Sequence, residues 1–323
     1  MENKIKRIGV LTSGGDAPGM NAAIRAVVRG ALFNGIEVYG IKRGFAGLLE
    51  GDIFPLGSRD VSEKIQKGGT FLMTARCKEF LEEEGRAKAA RIAKAFELDA
   101  IVVIGGDGSF KGAKGLSEQG VPVIGIPGTI DNDVGCTDYT IGYDTAMNTA
   151  LEAIDKLRDT ASSHERCTVV EVMGRRAGYI ALNVGIASGA EIILIPEIPY
   201  DVNIDVIRSI MEARNRGKHH YIVVVAEGAG SVMEISKQIE EVTGIETKAT
   251  VLGHVQRGGS PTLLDRNIAS RMGLQAIECI MQGRLNRLVV TQNYDIIDID
   301  ITEGLKMTKT ITKEEYNVMK MLF

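Results

Sequence analysis

The sequence predicts an α/β protein with two lobes, each a mainly parallel sheet flanked by helices. Residues 7–12 and 100–104 are short apolar runs without period-2 alternation, which is typical of parallel strands buried on both faces. Each run leads into a glycine-rich loop and then into a segment whose apolar residues recur at helical spacing. Strands that alternate with helices along a chain indicate parallel pairing, because the helices form the crossover connections.

The same order of strand, loop and helix recurs at residues 121–133, 167–185 and 221–241. A chain of 323 residues with 44% hydrophobic content exceeds the usual size of one domain and can bury a large core. A long helical pattern begins near residue 139, and we place the change of domain there.

The charge is close to balanced, with 38 basic and 42 acidic residues and a formal net charge of −4. Neither sign forms a long block, so we expect a small-molecule ligand and no nucleic-acid or membrane partner. The apolar runs are far shorter than a membrane span, and residues 1–16 lack the apolar core of a signal peptide, which predicts a cytoplasmic protein. Four scattered cysteines without a CxxC pair predict neither a disulfide framework nor a zinc site.

Ligands of such sheets bind beyond the carboxyl ends of the strands, where the glycine-rich loops open. The first loop, SGGDAPGMNAAIR, places Gly14 and Gly15 shortly before a helix, so that backbone amides can approach a phosphate. Its spacing fits neither GxGxxG nor the GxxxxGK[ST] loop. A tight turn from strand to helix, without a ligand, explains the same residues equally well.

The second loop, GGDGS at residues 105–109, has a carboxylate between glycines at the end of a buried strand. Asp107 is the predicted Mg²⁺ ligand, because magnesium takes one or two protein carboxylates and completes its shell with water and phosphate. The structural alternative is a helix N-cap at Asp107, a role for which Ser109 competes.

The third loop, GIPGTIDNDVGCTD at residues 125–138, concentrates acids after another buried strand. Asp131 and Asp133 would project to one side if the segment stayed extended. One carboxylate would then accept a proton from an attacking hydroxyl while the other organises a metal ion or its waters. A solvent-exposed Asx turn is the alternative.

These loops, together with GGTFLMTAR, SSHERC, VEVMGR and LGHVQRGGSP, resemble the ATP-dependent 6-phosphofructokinases of the bacterial glycolytic type. The resemblance spans residue 7 to about residue 275 and rests on many separate motifs in the same order. It implies a phosphofructokinase-like fold and Mg²⁺-dependent transfer of the γ-phosphoryl group of ATP to the 1-hydroxyl of fructose 6-phosphate.

The resemblance also implies a homotetramer with the active site in the cleft between the two lobes. The expected ATP-binding lobe is residues 1–138 plus 254–303, and the expected fructose 6-phosphate-binding lobe is residues 139–253 plus 304–323.

Residues for the nucleotide and for catalysis follow from the same resemblance. Those expected to contact ATP are Gly15, Arg76, Cys77, Gly106, Asp107, Gly108 and Ser109, and Asp107 takes the Mg²⁺ role. Those expected in catalysis are Asp131 as acceptor of the hydroxyl proton, Thr129 to position the phosphoryl group, and Arg76 and Arg175 to neutralise transition-state charge. Asp133 is expected to support the metal-bound waters, and Asp138 has no assigned role.

The sugar phosphate is expected to contact a further set of residues, namely Thr129, Asp131, Met173, Gly174, Arg175, Glu227, His254 and Arg257, with Arg166 and Lys248 reaching it from a neighbouring subunit. Lys248 departs from the family pattern, which more often has arginine there. Lysine lacks the planar bidentate fork, so we expect a weaker grip on the 6-phosphate. Taken singly, Met173 fits a core position, Arg166 fits a pair with Glu165 or Glu171, and His254 fits a structural histidine.

A regulatory site for ADP or phosphoenolpyruvate is also implied by the resemblance. Its expected residues are Arg25, Arg29, Arg158, Gly189, Glu191, Arg216, Lys218 and His220. Another position that is arginine in some relatives falls near Asp52, and a solvated helix face with a basic turn explains the same cations without an effector.

Two other functions compete with this one. Pyrophosphate-dependent phosphofructokinases usually carry an acid after GGD and a lysine before TIDND, whereas this chain has Gly108 and Gly128, which favour ATP. A non-catalytic sugar-phosphate or nucleotide sensor is permitted by the fold alone. The acids Asp107 and Asp131 argue against a sensor, since a sensor needs no base beside a metal.

Overall fold

The computed structural model describes residues 5–321, which form two compact units. Within that range, unit 1 comprises residues 5–145 and 257–309, and unit 2 comprises residues 146–256 and 310–321. These boundaries lie a few residues from those expected for the lobes, because residues 139–145 hydrogen-bond to Asp265 of unit 1. Which ligand each unit binds stays a prediction.

Strands lie on each of the apolar stretches named above, at residues 7–12, 100–105, 123–127, 167–172 and 221–226. In chain order the strands of both units are β1 (Arg7–Thr12), β2 (Glu37–Ile41), β3 (Ile53–Pro55), β4 (Ala100–Gly105), β5 (Val123–Pro127), β6 (Cys167–Val172), β7 (Ile192–Leu194), β8 (Tyr221–Ala226), β9 (Thr247–Val251), β10 (Arg287–Gln292) and β11 (Asp295–Asp300).

The α-helices carry most of the crossover connections between these strands. They are α1 (Met20–Phe33), α2 (Gly44–Glu50), α3 (Glu83–Ala95), α4 (Asp107–Glu118), α5 (Tyr143–His164), α6 (Tyr179–Ser188), α7 (Arg208–Asn215), α8 (Val232–Thr243), α9 (Leu263–Met281), α10 (Ile301–Gly304) and α11 (Lys313–Lys320). Short 3-10 helices cover Glu79–Leu81 and Gly253–Arg257, and a π-helix covers Val202–Ile207. In the described range, no helix combines the length and the apolar character that a membrane span requires.

Unit 1 is built on a sheet with the strand order β11-β10-β5-β4-β1-β2-β3. The inner strands are parallel, and the edge strands β3 and β11 run antiparallel to their neighbours. Alternate residues of a strand face opposite sides of the sheet, and Ile101 and Val103 of β4 accordingly pack in a buried cluster with side chains of α2, α3 and α4. Helices α1 and α9 pack on the strands as a pair.

Unit 2 is built on a parallel sheet with the strand order β7-β8-β6-β9. Its buried cluster joins β6, β7 and β8 to α7 and α8. Asp201 caps the π-helical stretch by accepting from the backbone N–H of Asn203 and of Ile204, both at 2.9 Å. The C-terminal helix α11 joins this unit through Tyr316, whose hydroxyl donates to the carbonyl of Ile193 at 2.7 Å. The α/β class with mainly parallel sheets is therefore confirmed.

The close contact between α1 and α9 depends on Gly273. A Cβ at this position would lie 2.6 Å from Ala26 Cβ and 2.9 Å from the carbonyl oxygen of Ala23. The backbones approach so closely that there is no room for a side chain.

We expect Gly273→Val to lower the free energy of unfolding by about 1–3 kcal/mol, because overpacking moves two helices apart. Urea unfolding followed by circular dichroism measures the change. Arg271→Val, at an exposed position of the same helix, is the matched control and should cost no more than the helix propensity of valine, about 0.7 kcal/mol. Equal losses in the two variants would contradict the tight contact.

Candidate active site

Three glycine-rich loops of unit 1 lie against one another at the carboxyl ends of β1, β4 and β5. The N–H of Ser13 donates to the carbonyl of Ile104 at 2.9 Å, and the N–H of Gly128 donates to that of Gly105 at 3.0 Å. A Cβ at Gly105 would lie 2.5 Å from the carbonyl oxygen of Ser13 and 2.5 Å from Ser109 Oγ. The loops can therefore approach this closely only because residue 105 is glycine.

The first loop meets Arg257 within unit 1. Gly15 is exposed, and a Cβ there would collide with the guanidinium group of Arg257. The same guanidinium donates from Nη1 to the carbonyl of Asp16 at 3.2 Å. Gly15, which is expected to contact the nucleotide, and Arg257, which is expected to contact the sugar phosphate, are thus neighbours. The guanidinium group of Arg257 places a positive charge directly beside the glycine loop.

A fourth loop, residues 67–77, is fastened to the first loop and to α1 by side chains that the motif analysis did not single out. Asn21 donates to the carbonyls of Lys67 and Gly68 at 3.0 and 3.1 Å and accepts from the N–H of Phe71 at 2.9 Å. Thr74 donates to the carbonyl of Gly14 at 2.7 Å. The signal in the sequence that could have revealed this anchor is an asparagine at the start of an apolar helix. Such a residue, once buried, needs hydrogen-bond partners from another segment.

The fourth loop ends in the two residues expected at the nucleotide. Arg76 is exposed, and Cys77 is half-buried and packs against the hydrophobic core of unit 1. The arginine is therefore open to solvent and to ligands, whereas the cysteine has a packing role as well.

Asp107 is the first residue of α4 and does not cap it. The N-cap is Gly106, which has no side chain to accept from the helix amides, so the N-cap alternative for Asp107 and Ser109 is wrong. Ser109 is buried under the loops. The Asp107 carboxylate is 43% exposed and forms an ion pair with Lys111 at 2.7 Å.

The donor set at α4 fits a magnesium ion that is held mainly by phosphate and water. Residues 5–321 contain no group of three or more His, Cys, Asp or Glu side chains arranged to hold a metal. A single exposed carboxylate at a helix N-terminus, beside amides that suit phosphate, matches the preference of Mg²⁺ for few protein ligands.

The loop after β5 is a turn, because Asn132 has left-handed backbone geometry with φ of 50°. Its side chain donates to the carbonyl of Asp138 at 3.2 Å and accepts from Thr140 Oγ1 at 3.3 Å. The expectation of an extended segment with two acids on one side is wrong, since Asp131 is buried at 6% exposure while Asp133 is exposed. One acid is therefore enclosed in the loop and the other faces solvent.

Thr129 links the buried acid to the loop before α4. Its Oγ1 accepts from the backbone N–H of Asp131 at 3.2 Å. Its Cβ lies 3.7 Å from the position that a Cβ at Gly106 would occupy. The loops that carry Asp107 and Asp131 are therefore adjacent in unit 1.

Two positions in these loops differ sharply in the space around them. A Cβ at Gly108 would meet no atom within 4 Å, whereas one at Gly128 would lie 3.1 Å from Ile104 and 3.2 Å from Met20. A larger residue fits at the first position without rearrangement and at the second only if Met20 moves.

The residues that follow Asp133 are held by the C-terminal part of unit 1. Thr137 and Thr291 join their hydroxyls at 3.0 Å, and Asp138 accepts from the N–H of Asn293 at 2.8 Å. Lys309 donates from Nζ to the carbonyl of Thr137 at 2.9 Å. Asp138, to which the sequence assigned no role, thus has a structural one.

In unit 2, the residues expected at the sugar follow β6 and β8. Met173 is 8% exposed, and its N–H donates to Gln256 Oε1 at 3.3 Å. Gly174 and Arg175 both have positive φ, 143° and 59°, which turns the chain sharply after the strand. Glu227 donates through its N–H to the carbonyl of Val172 at 2.9 Å. These residues meet at the carboxyl ends of neighbouring parallel strands.

Two further side chains of unit 2 belong to the same region of its sheet. Burial, with a smaller contribution from the charge of Glu227, raises the pKa of Glu171 on β6. His254 is exposed within the 3-10 helix Gly253–Arg257.

Arg166 and Lys248 share one carboxylate, that of Glu246. Arg166 Nε lies 2.6 Å from Glu246 Oε2, and Lys248 Nζ lies 2.9 Å from Oε1. Both bonds lower the pKa of the Glu246 carboxyl, and the bond from Lys248 has the larger effect. The expectation that Arg166 pairs with Glu165 or Glu171 is wrong, because its partner is Glu246, the residue that precedes β9.

Half of the expected effector residues cluster in unit 2. Arg158 donates to the carbonyls of Ser188, at 2.5 Å, and Gly189, at 3.2 Å. Lys218 forms an ion pair with the half-buried Glu191, whose other oxygen accepts from the N–H of Ile222. The cluster thus contains two cations and an ordered carboxylate.

Of the other expected effector residues, two lie in unit 1 and two lie on either side of Lys218 in the chain of unit 2. Arg25 and Arg29 are on α1 of unit 1, Arg216 is the C-cap of α7, and His220 precedes β8. Asp52, near which the resemblance places a further effector position, forms an ion pair with Arg43 at 3.2 Å.

Comparisons with known proteins agree on one family. A family model described as phosphofructokinase matches residues 7–280. The chain is 56% identical over 318 residues to the ATP-dependent 6-phosphofructokinase of Clostridium acetobutylicum, across 98% of this chain and 99% of that protein. It is also 56% identical over 314 residues to ATP-dependent 6-phosphofructokinase 1 of Clostridium perfringens, across 97% and 98%.

Solved structures give the same fold. Phosphofructokinase from Saccharomyces cerevisiae matches with a TM-score of 0.86 and 36% identity, over 93% of this chain, which spans 45% of the yeast chain. A pyrophosphate-dependent phosphofructokinase from Marinobacter aquaeolei matches with a TM-score of 0.85 and 22% identity, over 98% and 91% of the two chains, and shows likeness of fold alone.

Lys309 gives the structure a specific pH dependence. Burial lowers the pKa of its ammonium group to about 8, from an ordinary value of 10.5, against the opposing attraction of Asp138 and Asp133. As the pH rises, Lys309 therefore loses its proton at a lower pH in the folded state than in the unfolded state. Below pH 8 both states are charged and the full cost of burying the charge opposes folding.

Wild-type stability should therefore rise relative to that of Lys309→Met as the pH increases from 8 to about 10.5, since the unfolded state binds more protons in this window. Urea unfolding of both proteins at intervals of pH measures the difference. Lys306→Met, at a nearby exposed lysine, is the matched control and should show no such change. A difference between wild type and Lys309→Met that is constant across the window would contradict the assignment.

Proposed function

Because the chain belongs to the phosphofructokinase family, we propose that it transfers the γ-phosphoryl group of ATP to the 1-hydroxyl of fructose 6-phosphate, giving fructose 1,6-bisphosphate in glycolysis. The observation that carries the proposal is the buried carboxylate of Asp131, on a loop adjacent to the start of α4 where Asp107 stands. A base enclosed next to a phosphate-binding helix terminus suits a hydroxyl nucleophile and an anionic donor.

Asp131 takes the proton of the sugar hydroxyl as the new O–P bond forms and the bond between the β- and γ-phosphates of ATP breaks. Thr129 positions the reacting phosphoryl group, and its hydroxyl also accepts from the backbone N–H of Asp131. Arg76 and Arg175 stabilise the charge that spreads over the transferring oxygens. Magnesium at Asp107, when bound, supplies positive charge to the donor phosphates.

The nucleotide is held by backbone amides and cations of unit 1. The amides at the first loop and at the uncapped start of α4 suit the phosphates of ATP, as does the cation Arg76. Cys77 and Ser109 belong to the same group of loops.

In this proposal fructose 6-phosphate contacts Thr129, Asp131, Met173, Gly174, Arg175, Glu227, His254 and Arg257. Arg166 and Lys248 reach its 6-phosphate from a neighbouring subunit of a homotetramer. Both cations are bonded to Glu246, so the phosphate competes with a carboxylate for them. A lysine in place of arginine makes the grip weaker still.

The proposal includes regulation by ADP or phosphoenolpyruvate at an interface between subunits. The cluster of Arg158, Gly189, Glu191 and Lys218 in unit 2 supports it, and the other residues expected at the effector are Arg25, Arg29, Arg216 and His220. Asp52, paired with Arg43, adds negative charge where a cation occurs in some relatives. We place the enzyme in the cytoplasm, in keeping with a glycolytic role.

ATP is preferred to pyrophosphate as the donor in this proposal. Gly108 leaves open space beside the phosphate-binding start of α4, and Gly128 is packed against Met20. A non-catalytic sensor is the weaker alternative, since it has no use for an enclosed base such as Asp131.

The wild-type protein should turn over fructose 6-phosphate with ATP and not with pyrophosphate in an assay coupled to fructose 1,6-bisphosphate. Turnover with pyrophosphate and none with ATP would refute the proposed donor.

Gly108→Asp should raise the KM for ATP by about tenfold or more, because its carboxylate repels the phosphates while the open space at this position leaves the fold intact. Gly108→Asn, which is isosteric and neutral, is the matched control.

Asp131→Asn should lower kcat by about 10²- to 10⁴-fold with little change in either KM, because the amide cannot accept the hydroxyl proton. Steady-state kinetics with both substrates measure the effect. Asp138→Asn, at an exposed acid of the same loop, should leave kcat near the wild-type value. Near-normal turnover in Asp131→Asn would exclude Asp131 as the base.

A further inference from the structure

Asp265 is a fully buried carboxylate, 0% exposed, that the proposed mechanism does not use. Its Oδ1 accepts from the Tyr139 hydroxyl at 2.7 Å and from the Gly142 N–H at 2.6 Å. Its Oδ2 accepts from the Thr145 N–H at 2.9 Å and from Thr145 Oγ1 at 2.5 Å. All four donors belong to residues 139–145, which we call the 139–145 segment.

The 139–145 segment holds the residues on either side of Asp131. Thr140 donates from Oγ1 to the carbonyl of Thr129 at 2.7 Å and to Asn132 Oδ1 at 3.3 Å. The N–H of Ile141 donates to the carbonyl of Pro127 at 2.9 Å. Any shift of the segment is therefore passed to the backbone before Asp131 and to the side chain of the residue after it.

The same segment packs against the first glycine loop. Gly142 has φ of 102°, and a Cβ there would lie 2.6 Å from Ala17 Cβ. A Cβ at Gly19 would lie 2.6 Å from Ile141 Cγ2 and 3.5 Å from Asp265 Cβ. The carboxylate thus supports the loops proposed for the donor phosphates and for the base at once.

We propose that Asp265 is a positioning residue for phosphoryl transfer, fixing the 139–145 segment and through it the side chain of Asp131. This inference rests on the proposed function. The chemistry calls for a carboxylate, because each of its oxygens accepts two hydrogen bonds. An asparagine has one oxygen, so two donors would face an NH₂ group whichever way the amide lies.

Asp265→Asn should lower kcat by about 10- to 100-fold, because a displacement of about 1 Å at a reacting group has a cost of this order. The KM values for ATP and fructose 6-phosphate should stay within about threefold, since the proposed contacting residues remain. Steady-state kinetics and thermal unfolding of the full-length protein give both readouts.

Asp298→Asn is the matched control. Its carboxylate is 5% exposed, belongs to β11 of unit 1, and forms ion pairs with Arg284 and Arg287. It should lose thermal stability without losing kcat. A kcat within about twofold of wild type in Asp265→Asn, or an equal kcat loss in Asp298→Asn, would overturn the positioning role.

Thr145 offers a second pair of variants should Asp265→Asn not fold. Thr145→Val removes the hydroxyl donor at nearly constant shape, whereas Thr145→Ser keeps it. A lower kcat in the valine variant, with the serine variant close to wild type, supports the proposal. Equal kcat values in the two variants contradict it.

Hydrogen exchange without substrate separates this inference from the proposed function. Amides of residues 129–145 should exchange faster in Asp265→Asn than in wild type or Asp298→Asn. Unchanged exchange in that range would refute the support given by Asp265. An inactive wild-type protein would refute the phosphofructokinase activity instead, and the exchange result would still decide whether Asp265 orders the loop.

Discussion

Parallel pairing of β1 with β4 and of β4 with β5 is the constraint on which the site in unit 1 depends. It brings three loops out at one edge of the sheet, where their backbones approach within hydrogen-bonding distance at Ser13, Gly105 and Gly128. Approach of this kind excludes a side chain at Gly105. Asp107 and Asp131 stand near each other because their strands are neighbours, and no contact between the two acids is needed to bring them together.

Much of this arrangement could be predicted from the sequence. Apolar runs gave β1 and β4 within a residue of their observed ends, and the placement of glycines after them indicated loops at one edge of the sheet. Asp107 was singled out as an acid between glycines at the end of a buried strand, and Asp131 as one of several acids after the next strand. Their roles as magnesium ligand and base follow from the family resemblance and stay predictions. These signals are local, and a local signal can be read from a single sequence.

The parts that sequence reasoning missed depend on contacts between distant residues. Asp265 binds residues about 120 positions away, and Arg166 binds Glu246, 80 positions away. Neither pair leaves a periodic or spaced pattern in the chain. The turn at Asn132 was missed for a different reason. The same residues can adopt a left-handed or an extended backbone at this asparagine, and the sequence does not distinguish the two. Its side-chain bonds to Asp138 and Thr140 fix the left-handed form.

The contrast between Gly108 and Gly128 bears on how phosphoryl-donor preference can evolve. A side chain at Gly108 enters open space, so a mutation there changes the electrostatics at the proposed donor site without a cost in packing. A side chain added at Gly128 must instead displace Met20 from the core beside Ile104. The two positions therefore differ in mutational accessibility: a lineage changing its donor can acquire the acid at 108 first, whereas a residue at 128 requires compensating substitutions in α1.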